Sequence, residues 1–137
     1  MTLVLDSSVT LAWVYADEVT PAIEQVFKRI ADTQAWVPAI WPAEVANGLQ
    51  SGIRRGRIDV AFRDAALADL AVRAIVTDAD TNTYVWTTTV RLATRFGLTI
   101  YDTLYLELAQ RRGLPLASLD NQLRSAATSL GIDVLGI

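Results

Sequence analysis

Short apolar runs alternate along this chain with stretches whose apolar residues recur at three- and four-residue spacing. Residues 2–5 (TLVL) read as a buried strand, and a short helix after Asp6 carries Val9, Leu11, Ala12 and Trp13. Pro21, at a first-turn position, opens a second helix with Ile23, Val26, Phe27 and Ile30 on one face. Residues 35–37 (AWV) are a second strand. Pro42 opens a third helix that runs through Glu44 to about Arg54, and Gly56 ends it. Asp59 caps a fourth helix to about Val72, and residues 74–76 form a third strand. A helix then covers roughly 83–96 and stops at Gly97, with 98–100 as a short connection. Asp102 starts a helix that ends before Gly113. Residues 115–119 form a fourth strand, a helix runs from Asp120 to about Leu130, and 132–135 form a last strand. This alternation predicts an α/β fold, a parallel sheet covered by helices. The 137 residues fit one domain, 1–137.

In such a sheet a ligand crevice lies beyond the carboxyl ends of the strands. Asp6 directly follows the first strand and Asp120 the fourth, Glu44 lies in the first turn after the second strand, and Asp102 begins a helix on the same expected edge. Each has a local explanation. The three aspartates could cap helices, at about 1 kcal/mol each, and Glu44 could favour a helix dipole. Together they are harder to explain that way. Two carboxylates about 4 Å apart repel by roughly 4 kcal/mol at an effective dielectric of about 20. No Lys or Arg lies within three residues of any of them; Arg124 stands four beyond Asp120. A hard divalent cation would relieve the repulsion, and oxygen-only ligands suit Mg²⁺ or Mn²⁺.

Composition narrows the chemistry. Without cysteine or histidine, disulfides, thiolate metal sites and the commonest general base are excluded. Proton transfer and metal binding must rest on carboxylates and water. At 52% hydrophobic the chain is rich for a lone domain, which points to a covered apolar face or a well-filled core. The net charge of −3 argues against nucleic-acid affinity driven by overall charge, but not against a local basic patch. The opening MTLVLDSS has no signal-peptide pattern and no stretch approaches a membrane span, so the expected location is the cytoplasm.

The segments LVLDSSVTLAW (3–13), PAEVANGL (42–49) and IYDTLYLELAQRRGLPLASLD (100–120) give the chain a further meaning. It resembles a PIN-domain ribonuclease, and within that family a VapC-type toxin of a toxin–antitoxin pair. The opening and the Tyr-Asp-x-Leu-Tyr-Leu block are specific in combination. The resemblance implies a three-layer, doubly wound parallel sheet with helices on both faces. It implies that Asp6, Glu44, Asp102 and Asp120 are the metal-binding acids, and it implies an RNA substrate, a homodimer and an antitoxin partner.

Ser8 could hold Asp6 or make a helix-start hydrogen bond, and the two are compatible. Asn47, one turn after Glu44, reads either as support for the site or as a solvated amide. Glu107, five residues after Asp102, points away and reads as structural. Arg54, Arg55 and Arg57 form one basic cluster, Arg111 and Arg112 another. Each reads either as helix-end charge or as contact with RNA phosphates, and Arg124 stands nearer the expected crevice. Trp36 is expected in the core, Trp13 and Trp41 near the crevice as candidates for an antitoxin groove, and Trp86 in a candidate dimer interface. Asp17, Glu18, Asp78 and Asp80 are expected to be solvated loop residues.

The expected reaction is hydrolysis of RNA phosphodiester bonds by an activated water. Asp6 and Asp102 are the expected direct ligands, with Glu44 and Asp120 binding directly or through water. One rival, a phospho-accepting receiver domain, would need a late lysine, and Lys28 is the only lysine. Others are a non-catalytic binding module, a DNA nuclease and another RNA-processing protein on the same fold.

Overall fold

The computed structural model describes residues 2–137. Its five strands are short: β1 (Leu3–Leu5), β2 (Ala35–Val37), β3 (Ile75–Thr77), β4 (Leu116–Ala117) and β5 (Val134–Leu135). All pair in parallel, in the order β3-β2-β1-β4-β5. Val4 stands in register with Trp36 and Leu116, and Trp36 with Val76. The chain lays β2 and β3 on one side of β1 and returns with β4 and β5 on the other. The order therefore reverses between β1 and β4, the switch point at which such sheets open a crevice.

Eight helices connect the strands: α1 (Ser7–Val14), α2 (Pro21–Asp32), α3 (Trp41–Arg54), α4 (Val60–Ala71), α5 (Thr81–Tyr84), α6 (Val90–Phe96), α7 (Ile100–Arg112) and α8 (Asn121–Ser129). Side chains alternate across the sheet with the strand period of two. Leu3, Leu5, Ala35, Val37 and Ala117 face a core built with Val9, Ile23, Phe27, Ile30 and Leu49 of α1–α3. Val4 and Leu116 face a second core with Tyr105, Leu106, Leu123 and Ala127 of α7 and α8. The result is the expected three-layer, doubly wound α/β sheet.

Several boundaries differ from the sequence reading. β4 and β5 shrink to two residues each, because only Leu116–Ala117 and Val134–Leu135 find a ladder partner. A 3₁₀ turn (Ala16–Glu18) follows α1. The helix expected over 83–96 begins at Thr81 and is interrupted by a π-helical turn, Val85–Thr89, whose β-branched and aromatic residues are poor formers of regular α-helix. Helix α7 starts at Ile100, not Asp102: the Thr99 hydroxyl accepts the Asp102 N–H at 3.1 Å and acts as the cap. Gly97 and Gly113 close α6 and α7 in the left-handed region, at φ 65° and 64°, where a side chain would be strained. Among the described residues, no helix is long and apolar enough to cross a membrane.

Candidate functional site

Asp6 leaves β1 at the switch point, its N–H donating to the Ala117 carbonyl of β4. It occupies the cap position of α1, yet its side chain makes no cap bond. Its Oδ2 instead accepts the Ser8 hydroxyl at 2.6 Å and the Ser118 hydroxyl at 2.8 Å. The two serines tie both sides of the crevice together. Ser8 Oγ accepts the Leu119 N–H and Ser118 Oγ accepts the Asp120 N–H. Asp6 is only 3% exposed. Burial pushes its carboxyl up to about 6. The serine hydrogen bonds pull it back, and the negative charges of Asp102 and Glu44 push it further up.

Glu44, fourth residue of α3, is half-buried. Its Oε1 accepts the Tyr105 hydroxyl at 2.6 Å and the Ser7 hydroxyl at 3.3 Å. Asp102, third residue of α7, is raised above its ordinary value by burial and then by the charge of Asp120, against a Thr99 hydrogen bond that lowers it. Asp120 caps α8, its Oδ1 accepting the Leu123 N–H at 3.0 Å. The local cap reading thus holds for Asp120 alone among the three aspartates. Asp6 Oδ1, Glu44 Oε2 and Asp120 Oδ2 accept no hydrogen bond among the described residues. Each of these acids is held by one oxygen and offers the other.

A family model described as PIN domain matches residues 3–128. The chain belongs to the PIN domain family. No curated protein sequence matches this PIN domain significantly. Among solved structures it is similar to PAE2754 from Pyrobaculum aerophilum, at 23% identity and TM-score 0.70, over 98% of this chain and 92% of that one. It is also similar to VapBC2 from Rickettsia felis, solved bound to a DNA fragment from their promoter, at 14% identity and TM-score 0.66, over 98% and 97% of the two chains. These likenesses concern the fold.

The four acids of this PIN domain are electrostatically linked: Asp6 feels Asp102 and Glu44, and Asp102 feels Asp120. Among the described residues, no lysine or arginine is among the groups that set the Asp6 charge. An all-oxygen set carrying an uncompensated negative charge fits a hard divalent cation. Among the described residues, no group of three or more His, Cys, Asp or Glu side chains is arranged so that it could hold a metal ion. The donors fit such an ion by chemistry and charge.

Ser8 joins the site as expected. Asn47 does not: it is exposed in the groove between α3 and α4, beside Arg63 and Asp64, and makes no bond to the acids. Among the arginines read as RNA contacts, Arg57 is paired with Asp17 and Glu18, each at 2.8 Å, and stacks over Tyr15. Arg124 Nη1 donates to the carbonyls of Ser118 and Leu135, which clips the ends of β4 and β5 together. Arg54 and Arg55 are exposed. They lie at the far end of α3, roughly 15 Å along the axis from Glu44 at 1.5 Å per residue.

Asp78 is not solvated, as the sequence reading had it. Its side chain is buried and accepts hydrogen bonds from Arg111, Arg112 and Thr81. Burial alone would raise it, but the two arginines hold it down at about 2. Arg111 also donates to the buried Glu107 at 3.0 Å, which makes Glu107 structural and removes Arg111 from any role as a loose phosphate contact. Arg112 lies over the partly buried Trp36 ring, 3.6 Å from its centroid. Trp13 stacks on Phe27 and Trp41 Nε1 donates to Thr10 Oγ1, whereas Trp86 is 89% exposed.

Sequence reasoning missed Ser7, Tyr105 and Ser118 at the site. Tyr105 had a signal, since it stands three residues after Asp102 and so shares its helix face. Ser118, two before Asp120, had a weaker one. Ser7 and Glu44 meet across 37 residues of chain, and nothing local announces that.

Proposed function

We propose that this PIN domain, acting as one domain over residues 1–137, is a Mg²⁺- or Mn²⁺-dependent endoribonuclease and the toxin of a toxin–antitoxin pair. The observation that carries the reading is Asp6: a carboxylate buried at the switch point, held by two serines, without a cation and pressed by two neighbouring acids. Asp6 and Asp102 would hold the ion directly, with Glu44 and Asp120 completing the set directly or through water. When bound, the cation supplies charge neutralisation at the scissile phosphate and a water of lowered pKa. Ser8 and Ser118 fix Asp6 in one orientation, Ser7 and Tyr105 fix Glu44, and the α8 N-terminus fixes Asp120. With no histidine in the chain, removal of the proton from the attacking water falls to a carboxylate or to a second metal ion.

The toxin reading draws on the resemblance of the 100–120 segment to VapC-type toxins and on the VapBC2 likeness. A groove lined by Trp13, Val14, Phe62 and Ala66 between α1 and α4 suits an apolar segment of an antitoxin. The exposed Trp86 suits a homodimer contact. A cytoplasmic location accords with these roles. The rival reading, a PIN fold that binds without chemistry, draws on the absence, among the described residues, of any group of three or more acids that could hold a metal ion. One experiment separates them: cleavage of a panel of RNAs with added Mg²⁺ or Mn²⁺. Cleavage is expected, and Asp6→Asn or Asp102→Asn should reduce it at least a hundredfold, on the order expected for loss of a main electrostatic element. Undiminished cleavage by a folded variant would overturn the assignment.

A further inference from the structure

We propose that Tyr105 is a positioning residue for Glu44, its hydroxyl fastening Oε1 so that Oε2 is left as the oxygen that takes a divalent cation. The inference rests on the nuclease reading above and extends it to a residue outside the four acids. Tyr105 is fully buried, and its ring is locked in the core between sheet and helices with Val4, Leu106 and Leu116. A buried hydroxyl takes a partner wherever one is in reach. This one donates at 2.6 Å to a carboxylate 61 positions away in sequence, on another helix.

Glu44 needs such a restraint. It projects from the first turn of α3 between exposed neighbours, Ala43 and Asn47, on a side chain with three rotatable bonds. Among the described residues no arginine or lysine touches it, and its other donor, Ser7, is more distant at 3.3 Å. Both donors reach the same oxygen. The tyrosine ring has little freedom left to lose, so the short bond transfers the rigidity of the core to the carboxylate. Asp102 and Tyr105 lie one turn apart on α7. The helix that presents one acid therefore also orients a second acid from α3, and the two move together.

A merely structural tyrosine, bonded to the nearest acceptor, would stabilise the fold without affecting ion affinity. Mn²⁺ binding to the purified full chain, measured by calorimetry without RNA, separates the two. The forms compared are wild type, Tyr105→Phe, Glu44→Ala, Tyr105→Phe with Glu44→Ala, Asp120→Asn, and Tyr105→Phe with Asp120→Asn. Tyr105→Phe should weaken Mn²⁺ binding about tenfold, the weight of one hydrogen bond to a charged group. That loss should vanish when Glu44 is alanine and persist in full beside Asp120→Asn. Unchanged affinity in Tyr105→Phe, or the same loss with and without Glu44, overturns the positioning role. If Tyr105→Phe does not fold, Ser7→Ala reads the same oxygen: a smaller loss that vanishes with Glu44→Ala supports the restraint, and one that persists overturns it. Wild-type protein that takes up no Mn²⁺ overturns the nuclease reading as well. Wild type that binds and cleaves, beside an equally tight Tyr105→Phe, overturns this inference alone.

Discussion

At the scale of single residues, Asp6 concentrates the cost of the site. An aspartate in an unfolded chain ionises near 3.8, whereas Asp6 in the fold ionises near 6 because burial and two acidic neighbours disfavour its charge. Between those values the folded protein holds a proton that the unfolded chain has released. Stability therefore falls as pH rises through that window, by on the order of 3 kcal/mol in total. Asp6→Asn removes the charge and keeps an oxygen for the two serines. In EDTA, the melting temperature of Asp6→Asn relative to wild type should rise between pH 4 and pH 7. Parallel melting curves across that range would show that the Asp6 charge costs nothing. The substitution expected to cut cleavage at least a hundredfold is thus expected to stabilise the metal-free protein, a trade of stability for chemistry common at functional sites.

Among the elements, α7 carries two unrelated tasks at its two ends. Its first turn presents Asp102 and, one turn on, Tyr105. Its last turn anchors the molecule through Arg111, which joins Glu107 on the same helix to Asp78 beyond β3. This second cluster has the opposite sign in pH. Asp78 is held at about 2, so its contribution is present above 3.8 and is lost as pH falls through that lower range. Among the described residues, Arg111→Met would leave buried Glu107 without its ion-pair partner and buried Asp78 with Arg112. It should cost about 3 kcal/mol, within the range for breaking a buried pair by removing one partner. Urea denaturation measures that loss, and a change below about 0.5 kcal/mol, the range of ordinary surface substitutions, would show the cluster to be ornamental.

For the molecule as a whole, the switch point between β1 and β4 decides where chemistry can occur. Asp6 and Ser118 meet there because both lie one residue past strands paired in parallel register, Leu5 against Ala117. α3 and α7 then deliver Glu44 and Asp102 from opposite faces of the sheet. The remaining large apolar exposure lies elsewhere, with Trp86 at 89% and Val72 at 84%. If Trp86 seats a second copy, Trp86→Glu should shift the sedimentation coefficient from dimer to monomer while leaving the fold intact. An unchanged coefficient would overturn that contact.

The element order, the parallel sheet and the nearness of the four acids to one another were legible along the chain. Strand runs, helix-opening prolines and terminal glycines act over a few residues, and an acid directly after a buried strand marks the crevice edge by itself. What tertiary structure decided were the partners. It turned Asp78 inward against Arg111 and Arg112, paired Arg57 with Asp17 and Glu18, set Arg124 on the Ser118 and Leu135 carbonyls, and left Asn47 outside the acidic network. It also brought Ser7, Ser118 and Tyr105 to the acids across as many as 112 residues. Such contacts depend on which surfaces a packed core brings face to face. A polar side chain takes whichever partner burial leaves within about 3 Å, and no local spacing encodes that choice.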